Sequence, residues 1–144
     1  MELGEAWWFW ALLSAVFAAL TAIFAKVGVA GIDSDVATFI RTVVILVTLG
    51  LILLALGKFQ APGDVSARTW VFLVLSGLAT GASWICYFRA LKVGDASLVA
   101  PVDKLSVVLV ALFGVTLLGE RLTGLQWVGI SMVGVGAVVL AISG

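Results

Sequence analysis

Five apolar stretches, each about as long as a bilayer is thick, cover most of this chain. Three of them contain no charged residue and have 20, 20 and 23 residues, namely 6–25, 69–88 and 122–144. Two more, 36–57 and 96–119, are interrupted only by Arg41 and by the neighbouring pair Asp103-Lys104. Twenty helical residues rise about 30 Å, which is the thickness of the hydrocarbon core. The sequence therefore predicts an all-α integral membrane protein with five transmembrane helices.

The composition agrees with that class and excludes several others. Hydrophobic residues make up 63% of the chain and charged residues 11%, with a net charge of zero, whereas soluble domains have about 25% charged residues. A neutral chain offers no basic surface for nucleic acid. With Cys86 as its one cysteine and no histidine, the chain has no internal disulfide, CxxC motif or histidine metal site. We expect no metal, no cofactor and no enzymatic activity.

The charge-free stretches and the turn signals between them define the predicted helices. A polar loop with the turn signal Pro62-Gly63-Asp64 separates the second helix from the third. The first helix is too long for a typical signal-peptide core and follows acidic residues, so we interpret it as a retained helix. The predicted helices of this single domain, residues 1–144, are about 7–29, 36–56, 69–91, 96–118 and 123–143.

Small residues recur along several of these helices and are typical of close helix contacts in lipid. The last helix contains Gly129, Gly134 and Gly136. Because small residues are also common in membrane helices by chance, each of them marks either a contact face or only the composition of the helix.

The distribution of lysine and arginine gives no single orientation. An odd number of spans places the two termini on opposite sides of the membrane. Four cations fall on the side where the first and third helices end, if those just inside the helix ends are counted, and three on the other side. The positive-inside rule then has no preferred outcome, as expected for a chain that inserts both ways.

One half of the membrane contains most of the intramembrane charges. Asp103 and Lys104 are the deepest, about 12 Å into the fourth helix at 1.5 Å per residue. Charges at such depth face the bundle or a cavity and pair with one another. Arg41 and Arg89 lie nearer the edge, where their long side chains either bind a solute or snorkel to the interface. Asp103 is either a coupling or substrate group, or an internal partner of Arg89 or Arg41.

Residues close to these charges complete the candidate site. Pro101 removes a backbone hydrogen bond to Ser97 and predicts a kink in the fourth helix. On the third helix, Ser83, Trp84 and Tyr87 provide hydroxyl and aromatic groups, and an indole face can hold a cation. Packing between helices is an equally good interpretation of Trp84.

Three segments resemble the EamA family of the drug/metabolite transporter superfamily. They are residues 87–101 (YFRALKVGDASLVAP), 102–106 (VDKLS) and 118–123 (LGERLT), the last followed by a glycine-rich helix. The resemblance covers practically the whole chain as one EamA unit. It implies one half of a ten-helix inverted-repeat fold, because the best-known members contain two such units.

What the resemblance implies is a half-size secondary transporter of the bacterial inner membrane. It would move a small polar metabolite by alternating access, as an antiparallel homodimer or paired with a related half-size protein. The alternative is a non-transporting accessory or scaffold subunit that pairs with another half-size membrane protein. The absence of an acidic residue in the first helix, where four-helix relatives have a glutamate, favours that alternative slightly.

Overall fold

A computed structural model describes residues 6–59, 63 and 65–143. These residues form helices only, and five spans among them are long and apolar enough to cross a membrane. The predicted all-α membrane fold is therefore confirmed. Two consecutive helices, α4 and α5, make up the fourth span. The helices are α1 (Trp7–Val29), α2 (Ser34–Ala55), α3 (Ala67–Val93), α4 (Ala96–Asp103), α5 (Ser106–Leu117) and α6 (Gly124–Ser143).

Local capping sets the ends of α2. The side chain of Asp33 accepts hydrogen bonds from the backbone N–H of Asp35 at 2.8 Å and of Val36 at 3.3 Å, so α2 begins two residues earlier than predicted. At its other end Gly57 adopts φ +63°, and Lys58 N–H donates to the Leu53 carbonyl at 3.0 Å. This is the glycine-dependent helix stop that satisfies otherwise unpaired carbonyls.

The helix α3 is longer than the sequence indicated, by two residues at each end. Ser66 Oγ accepts a hydrogen bond from Thr69 N–H at 3.1 Å, which satisfies a donor in the first turn. The predicted turn at residues 62–64 lies mostly outside the described residues, since of the three only Gly63 is described.

The fourth span is broken rather than merely kinked. The sequence predicted one helix over 96–118, but α4 ends at Asp103 and α5 begins at Ser106. At the break, Lys104 N–H donates to the Pro101 carbonyl and Leu105 N–H to the Val102 carbonyl, both at 3.0 Å. These three-residue bonds tighten the turn that follows Pro101, which has no N–H of its own. The break therefore lies just after the proline.

The described residues fall into two compact units. The α2–α3 unit contains residues 25–59, 63 and 65–92, which are the end of α1, all of α2 and nearly all of α3. The α4–α6 unit contains residues 6–24 and 93–143, which include most of α1 and the last three helices.

Within the α4–α6 unit, α6 packs against α4 and α5 through small residues. Gly134 and Ala137 on α6 are buried, as are Ala111 and Gly114 on α5. A methyl group added at Gly134 would lie 2.9 Å from Cγ2 of Val108, so the two helices approach more closely than a larger residue would allow.

Most large apolar side chains of the spans point outward. Of the described side chains of this size, only Leu91, Val29 and Phe88 are almost completely buried. An exposed apolar surface of this extent suits lipid rather than water. The helices thus have the exterior of an integral, multi-pass membrane protein.

Candidate functional site

An ion pair joins the start of α2 to the end of α3 in the α2–α3 unit. Arg89 donates from Nε to Asp35 Oδ1 at 3.0 Å and from Nη2 to Asp35 Oδ2 at 2.6 Å. Two parallel bonds of this kind fix geometry as well as adding energy. Arg89 was a candidate site residue, and in the structure it pairs with the carboxylate of Asp35.

Two lysines bind backbone carbonyls at the same end of the unit. Lys26 Nζ, on the last turn of α1, donates to the Leu91 carbonyl near the end of α3 at 2.8 Å. Lys92 Nζ donates to the Ile32 carbonyl, just before α2, at 2.6 Å. Carbonyls in the last turn of a helix lack partners within the helix, and lysine side chains can satisfy them. These bonds join the ends of α1, α2 and α3.

Arg41 lies further along α2 and contacts aromatic rings. Its Cζ atom is 4.1 Å from the centroid of the Trp84 ring and 5.5 Å from that of Phe88. Among the described residues of its unit, none forms an ion pair or a hydrogen bond with the half-buried Arg41 side chain. The positive charge is therefore stabilised there by ring faces rather than by a carboxylate.

The two ring distances also show that the Arg41 guanidinium lies nearer to Trp84 than to Phe88. Trp84 lies one helical turn further from the end of α3 than Phe88 does. Because the guanidinium is closer to Trp84, it does not extend past Phe88 towards that helix end. Whether Arg41 binds a solute or snorkels to the interface stays a prediction.

The other candidates on α3 differ in their surroundings. Tyr87 is half-buried and meets Phe88 edge-on, with ring centroids 6.5 Å apart and planes at 64°. Ser83 is exposed. Phe88 itself is only 3% exposed, and sequence reasoning did not select it. Its spacing of four residues from Trp84, which places both on one helix face, is the signal that could have identified it.

The remaining candidates lie at the break in the α4–α6 unit. Lys104 Nζ donates to Asp103 Oδ2 at 3.0 Å, and both side chains are more than one third exposed. Pro101 lies in the last turn of α4. Within the α4–α6 unit Asp103 forms an ion pair with Lys104, and within the α2–α3 unit Arg89 forms one with Asp35. The pairing of Asp103 with Arg89 or Arg41 stays a prediction. In a continuous helix, Lys104 would point about 100° away from Asp103. Because α4 ends at Asp103, the Lys104 side chain can reach the Asp103 carboxylate.

Comparisons with known proteins place the chain in a family. Residues 5–142 match the EamA-like transporter family. The chain belongs to the EamA-like transporter family. It is also 61% identical, over 140 residues, to an uncharacterized transporter in the cobO 3′ region of a Sinorhizobium species, covering 97% of this chain and 99% of that protein. No solved structure matches. The resemblance seen in the sequence is thus confirmed, as is the class of multi-pass transporter.

The most recognisable segment of this EamA-like chain, residues 118–123, closes the turn between α5 and α6. Gly119 adopts φ +70°, and the N–H of Glu120 donates to the Gly114 carbonyl at 3.0 Å. A methyl group added at Gly114 would lie 2.5 Å from Glu120 Oε2, so the carboxylate lies against the glycine backbone. Glu120 therefore has a structural contact in this EamA-like fold.

Within the described part of this EamA-like chain, no three His, Cys, Asp or Glu residues lie close enough together to hold a metal ion. The site residues that the α2–α3 unit brings together are Arg41, Trp84 and Tyr87, joined by Phe88. Arg89 is at the end of the same unit, while Asp103, Lys104 and Pro101 form a separate group in the α4–α6 unit. Each group is a candidate part of a transport site.

Proposed function

We propose that this EamA-like protein is a secondary transporter that moves a small polar metabolite across the bacterial plasma membrane by alternating access. Family membership and the transporter name of the Sinorhizobium relative support this role. The observation that carries the proposal is Arg41, seven residues into α2 and so about 10 Å along the span. A charge at that depth is costly and is characteristic of a solute pathway.

The transporting unit is an antiparallel homodimer. Five spans are half of the ten that an inverted-repeat transporter needs, and an odd number of spans gives two joined halves opposite orientations. The nearly equal lysine and arginine counts on the two sides support insertion in both directions. A second copy of the chain would then supply the missing half.

In this dimer, the first four spans line the path and α6 supports the contact between copies. An open apolar groove of about 590 Å³ runs along α6. Apolar side chains and small residues along such a groove favour a helix partner in lipid. The groove is lined by Trp127, Val128, Ser131, Met132, Val135 and Gly136.

Transport by the purified protein in lipid vesicles tests the proposal. We expect saturable uptake of at least one member of a broad metabolite panel, with a rate that depends on an imposed proton or sodium gradient. Protein-free vesicles provide the control. A folded, inserted protein that moves no member of the panel under any gradient would contradict a transport role.

The same preparation separates the transporter from an accessory subunit. Isolation from native membranes should give the chain as a homodimer. If a different half-size membrane protein copurifies in equal amount and transport requires it, the chain is an accessory subunit instead.

Orientation is tested with a C-terminal reporter that is active on only one side of the membrane. We expect activity on both sides. Two lysines added beside Pro62 should shift the distribution one way, and two lysines added beside Gly94 should shift it the other way, because these loops lie on opposite sides. One orientation that ignores both insertions would exclude the antiparallel homodimer.

A further inference from the structure

Arg41 lies within a membrane span, and its guanidinium has hydrogen-bond donors that the described residues of its unit do not use. Its guanidinium has five N–H donors. Among the described residues of the α2–α3 unit it lies against the rings of Trp84 and Phe88 and interacts electrostatically with Tyr87, and no carboxylate of that unit pairs with it. A buried guanidinium is stable in a bilayer when an anion completes its surroundings. The Arg41 guanidinium can therefore act as the cationic partner of a bound anion.

The carboxylates nearest along the chain are already engaged. Asp35 accepts from Arg89 with both of its oxygens. Asp33 is used as the cap of α2, where Oδ1 accepts two backbone N–H groups. Lys92 donates to a backbone carbonyl, which leaves its positive charge uncompensated by that bond. This end of the unit therefore has positive charge to offer an anion.

We infer that Arg41 binds the anionic group of the transported solute, a carboxylate or a phosphate, and that Trp84 positions its guanidinium. This inference rests on the proposed transport function and specifies its substrate class. A planar guanidinium matches the two oxygens of a carboxylate or phosphate in a way that a lysine ammonium does not. The Trp84 ring positions the guanidinium by a cation–π contact, which leaves its N–H donors available, whereas a carboxylate in an ion pair would occupy them.

A lipid headgroup has the same chemistry, but the position of the guanidinium favours a solute. The guanidinium is closer to Trp84 than to Phe88, and Trp84 lies one helical turn further than Phe88 from the end of α3. A solute that enters the protein reaches this depth, whereas a headgroup phosphate stays near the interface.

The test measures ligand-induced thermal stabilisation of the purified full-length protein, because a ligand raises the melting temperature according to its affinity for the folded state. The probes are inorganic phosphate and a panel of small carboxylates, each with its uncharged amide. We expect anions, but not their amides, to stabilise the wild type. Arg41→Gln should lower the affinity for the stabilising anions about tenfold or more, and Arg41→Lys should lower it by an intermediate factor. Trp84→Leu should lower this affinity less than Arg41→Gln does, and Trp84→Phe should lower it less than Trp84→Leu does.

A matched control is Arg68→Gln, which removes the same charge from an arginine that also faces a ring, Phe72, at 5.9 Å. It should leave anion affinity unchanged. If no anion distinguishes the wild type from Arg41→Gln, while Arg41→Lys is folded and also unchanged, the inference is wrong.

Two further arms separate the alternatives. If Arg41→Gln alters stabilisation by phosphatidylglycerol in phosphatidylcholine micelles but alters no response to solute anions, the site binds lipid and the inference is overturned. If the protein transports uncharged solutes and Arg41→Gln does not change the rate, the proposed transport function stands and the inference about Arg41 is refuted. Anion binding that requires Arg41, in a protein without transport, would refute the function and support the site.

Discussion

The two units of this protein hold their helices together by different means. In the α2–α3 unit, Arg89 and Asp35, 54 residues apart in sequence, form a two-bond ion pair between helices. In the α4–α6 unit, the described ion pair joins neighbours, Asp103 and Lys104. There the helices meet instead through small residues such as Gly134, against Val108.

The difference separates two sources of specificity in a bilayer. Close packing of small residues determines how near two helices can approach, but it does not position charges. Ion pairs and lysine–carbonyl bonds determine which helix ends meet, and they leave Arg41 for another role. We therefore expect substitutions at the small-residue contacts between α5 and α6 to change stability most, and substitutions around Arg41 to change ligand binding most.

The largest stability effect is expected for Gly134→Leu. A leucine there must displace Val108, whose Cγ2 would be 2.9 Å from the added Cβ alone, and overpacking of this kind costs about 1–3 kcal/mol. Thermal unfolding in detergent measures the loss. Gly129→Leu, on the same helix and with nothing within 4 Å of an added Cβ, is the matched control. Equal losses for both variants would show that packing against α5 is not what the glycine provides.

Asp35→Asn should have the next largest effect on stability, because it removes the carboxylate that Nε and Nη2 of Arg89 contact. We expect a lower melting temperature than for Asp95→Asn, the control, since the Asp95 side chain makes no capping hydrogen bond at the start of α4. The second change Arg89→Gln in the Asp35→Asn background should restore part of the loss. If Asp35→Asn and Asp95→Asn melt alike, the ion pair does not stabilise the α2–α3 unit.

Asp103→Asn should change stability least, by less than about 1 kcal/mol, because it removes a single exposed bond between sequence neighbours, whereas the Arg89–Asp35 pair has two bonds that join two helices. Transport then decides the role of the carboxylate. Loss of transport by a stable, inserted dimer would support Asp103 as a coupling or substrate group. Full transport with unchanged stability would show that it is neither, and a large loss of stability would contradict the local pairing with Lys104.

Much of the architecture could be predicted because length and hydropathy act locally. The five spans follow from stretches that are too long and too apolar for a soluble domain of this size. The early start of α2 could also have been predicted, since Asp33 is a strong capping residue. The break after Asp103 could not be predicted in full. Pro101 signals a kink, but the bonds at Lys104 and Leu105 depend on the path of the backbone.

The sequence by itself determined the membrane class, the family and the set of charges available, because each of these depends on residue type and spacing along the chain. Only the tertiary structure decided which charges meet. Arg89 pairs with Asp35, and Arg41 lies against Trp84 and Phe88. The physical reason is that a long cationic side chain can reach several partners, and the contact between helix faces selects one of them.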